Sequence, residues 1–370
     1  MEKILSGERP SLEKLLMANH YSHVDLNALT DLQKQNIRFA LSTNQRGLST
    51  IKRLEDQGIC FKNANVLDVG CAYGGFTIEA RRRGASIAYG IDIMQHLILL
   101  ANANLSDEDE EIAKGIEFAL CDMTSIQALC ALPNNFFNII IVNDVFEHVY
   151  DTCRLLSVIS KLASQQCTLY FEIPNGLHFI DFVEREPHSH KYGLSILDPN
   201  RWHEMGWFET YYRRWDYFAA LFSHYGFNEI LLDPHMDQIS DITKLQLLHD
   251  LYVRLENVES SLRDKFPNNL SSLAASVMSQ FEKYKLEINN DIDEMDVSAL
   301  SFKYLTPFWR GVAIRNANQV SINFQHVELK AIKEQYRILR QKYETLAKSK
   351  LGRLQICIWE RRTSPYNIVP

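Results

Sequence analysis

Residues 65–76 read Asn-Val-Leu-Asp-Val-Gly-Cys-Ala-Tyr-Gly-Gly-Phe, and no other stretch constrains the fold as tightly. Val66, Leu67 and Val69 make a short apolar run rich in β-branched residues, which predicts a buried strand. Gly70, Gly74 and Gly75 follow at once and allow backbone torsions and close approaches that a Cβ would forbid. A helix is expected from about Phe76 to a stop at Gly84. A strand, a glycine turn and a helix N-terminus together cradle the polar end of a nucleotide-like ligand. The order after Asp68 is Gly-x-x-x-Gly-Gly, so the dinucleotide fingerprint Gly-x-Gly-x-x-Gly is a poor fit.

Three sites downstream extend the pattern. A second strand, Ile87 to Ile93, carries Asp92 at its tip, 22 positions beyond Gly70. A carboxylate there can accept both hydroxyls of a ribose, a property that by itself fits NAD equally well. A third strand, Ile116 to Leu120, runs into Cys121-Asp122-Met123. The fourth, Phe136 to Val142, is a nearly continuous apolar run and belongs in the sheet centre, covered on both faces. It ends in Asn143-Asp144-Val145-Phe146-Glu147-His148-Val149. A fifth strand, Thr168 to Ile173, closes on Pro174-Asn175. A helix over 211–226, a sixth strand over 227–232 and a seventh over 308–315 complete an α/β, doubly wound, Rossmann-like sheet of seven mostly parallel strands.

The Leu-Asp-Val-Gly-Cys-x-x-Gly turn, joined to acids at the next strand tips, resembles the first motif of class I S-adenosylmethionine-dependent methyltransferases. The resemblance covers residues 60–235 and returns at 305–315. It implies S-adenosyl-L-methionine as cofactor, held by Asp68, Gly70, Cys71, Ala72 and Gly74 at the turn and by Asp92 and Ile93 at the ribose. Asp122 would accept from the adenine amino group beside Met123, with Asn143 and Val145 contributed by the fourth motif. The Asp-Val-Phe-Glu-His-Val wording is similar to the ubiquinone-biosynthesis O-methyltransferase branch. Glu186-Pro187-His188 and Tyr192-Gly193-Leu194 resemble methyltransferases of bacterial glycan assembly.

Glu147 and His148 are the candidate catalytic pair. His148 has three readings: a base taking a proton from an acceptor hydroxyl, a metal ligand with Asp144, Glu147 and His188 or His190, or a cap of the next helix. No resident metal is assigned. Tyr192, Trp202 and Trp207 lie in a long aromatic segment after the fifth strand, where rings can stack on sugar faces or simply pack.

The flanks carry less chemistry. Residues 1–60 read as amphipathic helices forming a lid, from which Tyr21, His23 and Arg46 either reach the site or serve as surface polar residues. The core spans 61–237 and 301–318, and 238–300 reads as an inserted helical hairpin for dimerisation or acceptor enclosure. Leu329, Ile332, Tyr336, Leu339, Tyr343 and Leu346 alternate at spacings of three and four, a coiled-coil seam that opens the 319–370 tail. Between Lys330 and Arg362 the local charge is +7 within a total of −7, leaving an acidic body that argues against nucleic-acid binding. The basic tail suits an anionic membrane or an acidic partner, or is a solvated face. No apolar run reaches the length of a membrane span, and the seven cysteines contain no Cys-x-x-Cys pair, so a cytoplasmic protein is expected. The expected function is O-methylation of a glycan or glycolipid precursor, with a small-molecule or glycan acceptor and a homo-oligomer as partners. An inactive scaffold of the same fold and a nucleotide-dependent oxidoreductase are the alternatives.

Overall fold

A computed structural model of the protein describes residues 7–22, 28–125, 127–176, 193, 195–197, 201, 210–233, 244–265 and 272–316. All of them fall in one unit, 1–320. The expected coiled-coil seam and basic tail lie outside the described residues.

Three helices, α1 (Pro10–His20), α2 (Asp31–Leu41) and α3 (Thr43–Asp56), precede strand β1 (Asn65–Val69). Then come α4 (Gly75–Arg82), β2 (Ile87–Asp92), α5 (Gln95–Leu105), the single turn α6 (Glu110–Ala113), β3 (Ile116–Leu120), α7 (Ala128–Ala131) and β4 (Phe137–Asn143). The second half runs α8 (Thr152–Leu162), β5 (Ala163–Pro174), α9 (Trp215–His224), β6 (Glu229–Leu232), α10 (Lys244–Lys265), α11 (Ser272–Glu294), α12 (Val297–Tyr304) and β7 (Phe308–Arg315). The strands form one sheet in the order β3-β2-β1-β4-β5-β7-β6. Pairings among β1 to β5 are parallel, and β7 runs antiparallel between β5 and β6. This is the expected mostly parallel, seven-stranded sheet, with α10 to α12 inserted before the last strand.

The apolar run of β4 does lie mid-sheet, where Ile139, Ile140, Ile141 and Val142 are all buried. One sheet face packs under α3 and α4: Ile51, Leu54 and Ala80 meet Val66, Ile139, Ile141, Tyr170 and Val312. The other face packs under α9, with Phe222 stacked on Phe171 and Phe218 against Trp309. Thus α3 is a layer of the sheet core. Helices α1 and α2 instead make a separate cluster with Leu100 of α5.

The two largest departures from the expected boundaries are at β5 and α9. β5 starts at Ala163, paired with Phe137 across a register shift, because its first residues include the polar Ser164, Gln165 and Gln166, which interrupt the apolar pattern. Helix α9 begins at Trp215 and not at 211. Residues 211–214 are drawn out of the helix: the Tyr211 amide donates to the Glu147 carbonyl at 2.6 Å, and Arg213 donates to the Val149 carbonyl at 3.2 Å.

The insertion builds its own core from Leu255, Val258 and Leu262 on α10 and Val277, Phe281, Tyr284 and Ile288 on α11, closed by Leu300 and Tyr304 of α12. Ile196, Leu197 and Tyr211 join it from the chain after β5. Buried Lys303 fastens this core to α9, its Nζ lying 2.7 Å from Asp291, 3.3 Å from Glu287 and 3.1 Å from Asp216. Among the described residues no helix is long and apolar enough to cross a membrane.

A charged latch joins β5 to β7. Glu172 lies opposite Arg310 in register. Arg310 donates to both Glu172 oxygens, at 2.8 and 2.6 Å, and the Tyr170 hydroxyl adds a third bond at 2.7 Å. Burial alone would raise the Glu172 carboxyl, but Arg310, the Tyr170 hydroxyl and Arg53 together outweigh it and hold the group below its usual range. Arg310→Ala leaves the buried carboxylate only the Tyr170 hydroxyl and a longer contact to Arg53 at 3.9 Å, and should cost about 3 kcal/mol in denaturant unfolding. A depressed carboxyl stabilises above its unfolded pKa and loses that contribution as pH falls through the folded one. The gap between wild type and variant should therefore shrink on acidification below about pH 4.5; a gap independent of pH would contradict the latch.

Candidate active site

The turn after β1 is clamped to β2. The Gly70 and Cys71 amides both donate to the Ile91 carbonyl, at 2.8 and 2.9 Å, and the Ala72 amide donates to Asp92 Oδ2 at 3.1 Å. Gly70 is left-handed with φ 72°, and a Cβ there would sit 2.5 Å from Val145 Cγ2. Gly74, with φ 75°, starts α4, and its Cβ would strike the Phe118 ring at 2.4 Å. Both positions need glycine for conformation and for space.

Over this turn, at the carboxyl ends of β1, β2, β3 and β4, opens a cavity of about 610 Å3. Gly70, Ala72, Asp92, Ile93, Asp122, Met123, Val145 and His148 line it. The structure therefore brings these eight sequence candidates to one place. Asp92 is fixed by the Ala72 bond and by the Met94 amide on Oδ1 at 2.8 Å. Asp122 Oδ1 takes the Thr124 amide and hydroxyl, at 2.8 and 2.7 Å.

The other candidates stand behind the wall. Asp68 is buried beneath the turn, and its Oδ2 accepts from the Thr77 hydroxyl at 2.7 Å, tying β1 to α4. Cys71 is buried, with its thiol pushed up by burial and by Asp68 and Asp92. Gly74 packs under Phe118. Asn143 donates through Nδ2 to Asp144 Oδ2 at 2.9 Å. Glu147 is 2% exposed, its Oε2 buried without a hydrogen-bond partner, and burial followed by the Asp144 charge pushes its carboxyl well up.

His148 has a side chain 44% exposed, with Nε2 3.7 Å from Glu147 Oε1. It closes the short 3-10 turn Phe146–His148. The cap of α8 is Asp151, whose Oδ1 accepts from the Arg154 amide at 2.8 Å, so the helix-cap reading of Glu147 and His148 does not describe the structure. Among the described residues no group of three or more His, Cys, Asp or Glu is placed to hold a metal. His188, His190, Tyr192, Trp202, Trp207 and His23 lie outside the described residues.

Several wall residues were not assigned to the cofactor cavity by the sequence reading. Asp144, read from the sequence only as a possible metal ligand, lines the cavity with a left-handed backbone, φ 52°. The residue is exposed to the cavity, and desolvation by the surrounding wall followed by the Glu172 charge raises its carboxyl to about 7. A non-glycine residue with positive φ is uncommon and often marks a functional position, but torsions are invisible in a sequence. Met94, Leu97, Thr124, Tyr150 and Asp151 also line it. Arg46 of α3 lies close enough to Asp144 and Tyr73 to interact with their charges. Its guanidinium sits 3.6 Å from the centre of the Phe39 ring. Tyr21 packs with Tyr73 on the α1–α2 cluster.

A carboxylate pair on neighbouring strand tips, a cradle that a Cβ at Gly70 would fill, and room for a nucleoside with an amino-acid arm fit S-adenosylmethionine. A family model described as "Methyltransferase domain" matches residues 39–232. No curated protein matches the sequence significantly. Similar solved structures include an S-adenosylmethionine-dependent methyltransferase from Mesorhizobium loti, 20% identical over 34% of this chain and 53% of that one, with a TM-score of 0.30. Haemonchus contortus phosphoethanolamine N-methyltransferase 2 with S-adenosyl-L-methionine is 16% identical over 82% of this chain and 60% of its own, with a TM-score of 0.42. Magnesium protoporphyrin IX methyltransferase from Synechocystis is 16% identical over 61% and 87%, with a TM-score of 0.37. The chain thus spans under two thirds of the first two of these.

Burial pushes the Asp68 carboxyl up to about 7 from 3.8, despite the Thr77 bond. Its contribution to stability is present below the unfolded value and is lost as pH rises through about 7. Asp68→Asn should make the fall of melting temperature between about pH 4 and 7 shallower; an unchanged slope would mean that Asp68 does not carry that proton.

Proposed function

The chain belongs to the methyltransferase-domain family, as a class I S-adenosylmethionine-dependent methyltransferase, and from that premise we propose that it methylates a hydroxyl of a glycan or glycolipid precursor. The observation that carries this reading is the place of His148 in the wall of the cavity that holds Asp92, Asp122 and the glycine turn. An imidazole changes charge near neutral pH, so it can take the proton of a hydroxyl as the oxygen becomes the nucleophile.

The cofactor supplies an electrophilic methyl group. Asp92 would hold its ribose hydroxyls and Asp122 its purine amino group, with Ile93 and Met123 as apolar walls. Ala72 and Gly70 give the amino-acid arm a close backbone surface. Glu147, buried behind His148, orients the imidazole and does not reach the acceptor. Most of the rate would come from holding the acceptor oxygen in line with the methyl group. Support for a sugar acceptor comes from the Glu-Pro-His and Tyr-Gly-Leu wording and the aromatic segment after β5. A cytoplasmic location, a homo-oligomer and contact of the 319–370 tail with a membrane or partner belong to the same reading.

Calorimetry with S-adenosylhomocysteine should give one site per chain. Asp92→Ala should weaken it by about tenfold or more, the loss of a charge-assisted hydrogen-bonded anchor. Binding of NAD in its place would overturn the reading in favour of an oxidoreductase. With labelled donor and a lipid-linked glycan fraction, His148→Gln should lower methyl incorporation about 100-fold or more while cofactor affinity holds.

A further inference from the structure

Four aspartates, Asp92, Asp122, Asp144 and Asp151, line the cavity, and among the described residues no lysine or arginine does. Three of the four are tied to the backbone: the amides of Met94, Thr124 and Arg154 each donate to one carboxylate, all at 2.8 Å. Such bonds fix a carboxylate and spread its charge over peptide dipoles. Asp144 is held differently. Its carboxylate accepts one hydrogen bond, from the neutral Asn143 amide at 2.9 Å, and among the described residues no cation lies within ion-pair distance of it. The charged groups that act on it from further off are Glu172 of β5, Arg310 of β7 and Arg46 of α3, with Glu147 nearby in its own turn. Its left-handed backbone places it at the end of the central strand, immediately before Val145, whose Cγ2 abuts Gly70.

We propose that Asp144 is a specificity-determining residue that makes this cavity select the cationic methyl donor over its neutral by-product. The inference rests on the methyl-donor reading above. Transfer breaks the sulfur–methyl bond, with the electron pair kept by sulfur, and forms an oxygen–methyl bond while the hydroxyl proton passes to the base. The by-product therefore carries one positive charge fewer than the donor, though it keeps the same ribose, purine and amino-acid contacts. A cavity whose least compensated charge is a carboxylate loses attraction for its ligand at the moment of transfer. That promotes release of the by-product and uptake of fresh donor.

The full-length chain is titrated calorimetrically at about pH 8.5, above the value of about 7 to which the Asp144 carboxyl is raised so that it is ionised, with S-adenosylmethionine and, separately, with S-adenosylhomocysteine. The wild type should bind the donor tighter by about tenfold, the scale expected for two unit charges across a partly solvated site. Asp144→Asn should remove most of that preference and leave by-product affinity within about twofold, whereas Asp144→Glu should keep it. Raising ionic strength should weaken the donor and not the by-product in the wild type, which tests the inference without any variant. Equal loss of both ligands in Asp144→Asn, or a wild-type preference indifferent to salt, would overturn it. Failure of the wild type to bind either ligand would instead remove the methyl-donor reading and this inference with it.

Discussion

The site depends on a clamp of three backbone amides. Gly70 and Cys71 share the Ile91 carbonyl, and Ala72 reaches the Asp92 carboxylate, so the turn after β1 is pinned to the end of β2. Buried amides must find acceptors, and here β2 provides them all. The chain can bend this sharply because Gly70 and Gly74 are left-handed and because Val145 and Phe118 occupy the volumes their side chains would need. The same bond that closes the turn holds Asp92 at the cavity wall. Fold and site therefore share one set of contacts, and a side chain at Gly70 would disturb both.

Around that clamp the protein divides its carboxylates by environment. Glu172 is buried but faces Arg310, and stays ionised. Asp68 is buried with only a hydroxyl, and its carboxyl rises to about 7. Asp144, at the cavity edge with a neutral amide for company, is likewise raised to about 7 but meets the cavity, not the core. Desolvation acts on all three, and the identity of the nearest donor decides the outcome. One end of the sheet thus carries a structural ion pair, a protonatable brace and a carboxylate open to a cationic ligand.

The elements beyond the sheet act on the site indirectly. Helices α1 and α2 press Leu97 and Tyr73, one in the cavity wall and one in the glycine turn. The inserted helices reach it through Tyr150, which lines the cavity and packs edge-on against Tyr211, part of the insertion's core. A change in the insertion thus reaches the Tyr150 side of the cavity without touching the glycine turn.

The amino-acid sequence by itself determined the sheet and its ligand-facing end. Period-two and all-apolar runs mark β1 to β5 because burial on one or both faces dictates residue type locally, and glycine at 70 and 74 announces a turn that only glycine can make. It also marked Asp92, Asp122 and His148, since strand ends are readable and carboxyl ends of parallel strands form the crevice. It could not assign Asp68 and Glu147 to the layer behind the wall, because depth is set by which elements fold over each acid: Thr77 of α4 for one, Tyr211 before α9 for the other. Nor could it single out Asp144, whose position comes from a backbone torsion, or the polar start of β5, whose pairing with β4 outweighs its composition. Tertiary structure decided these because packing and long-range hydrogen bonds, not residue type, fix which acid is buried, which is paired and which meets the cavity.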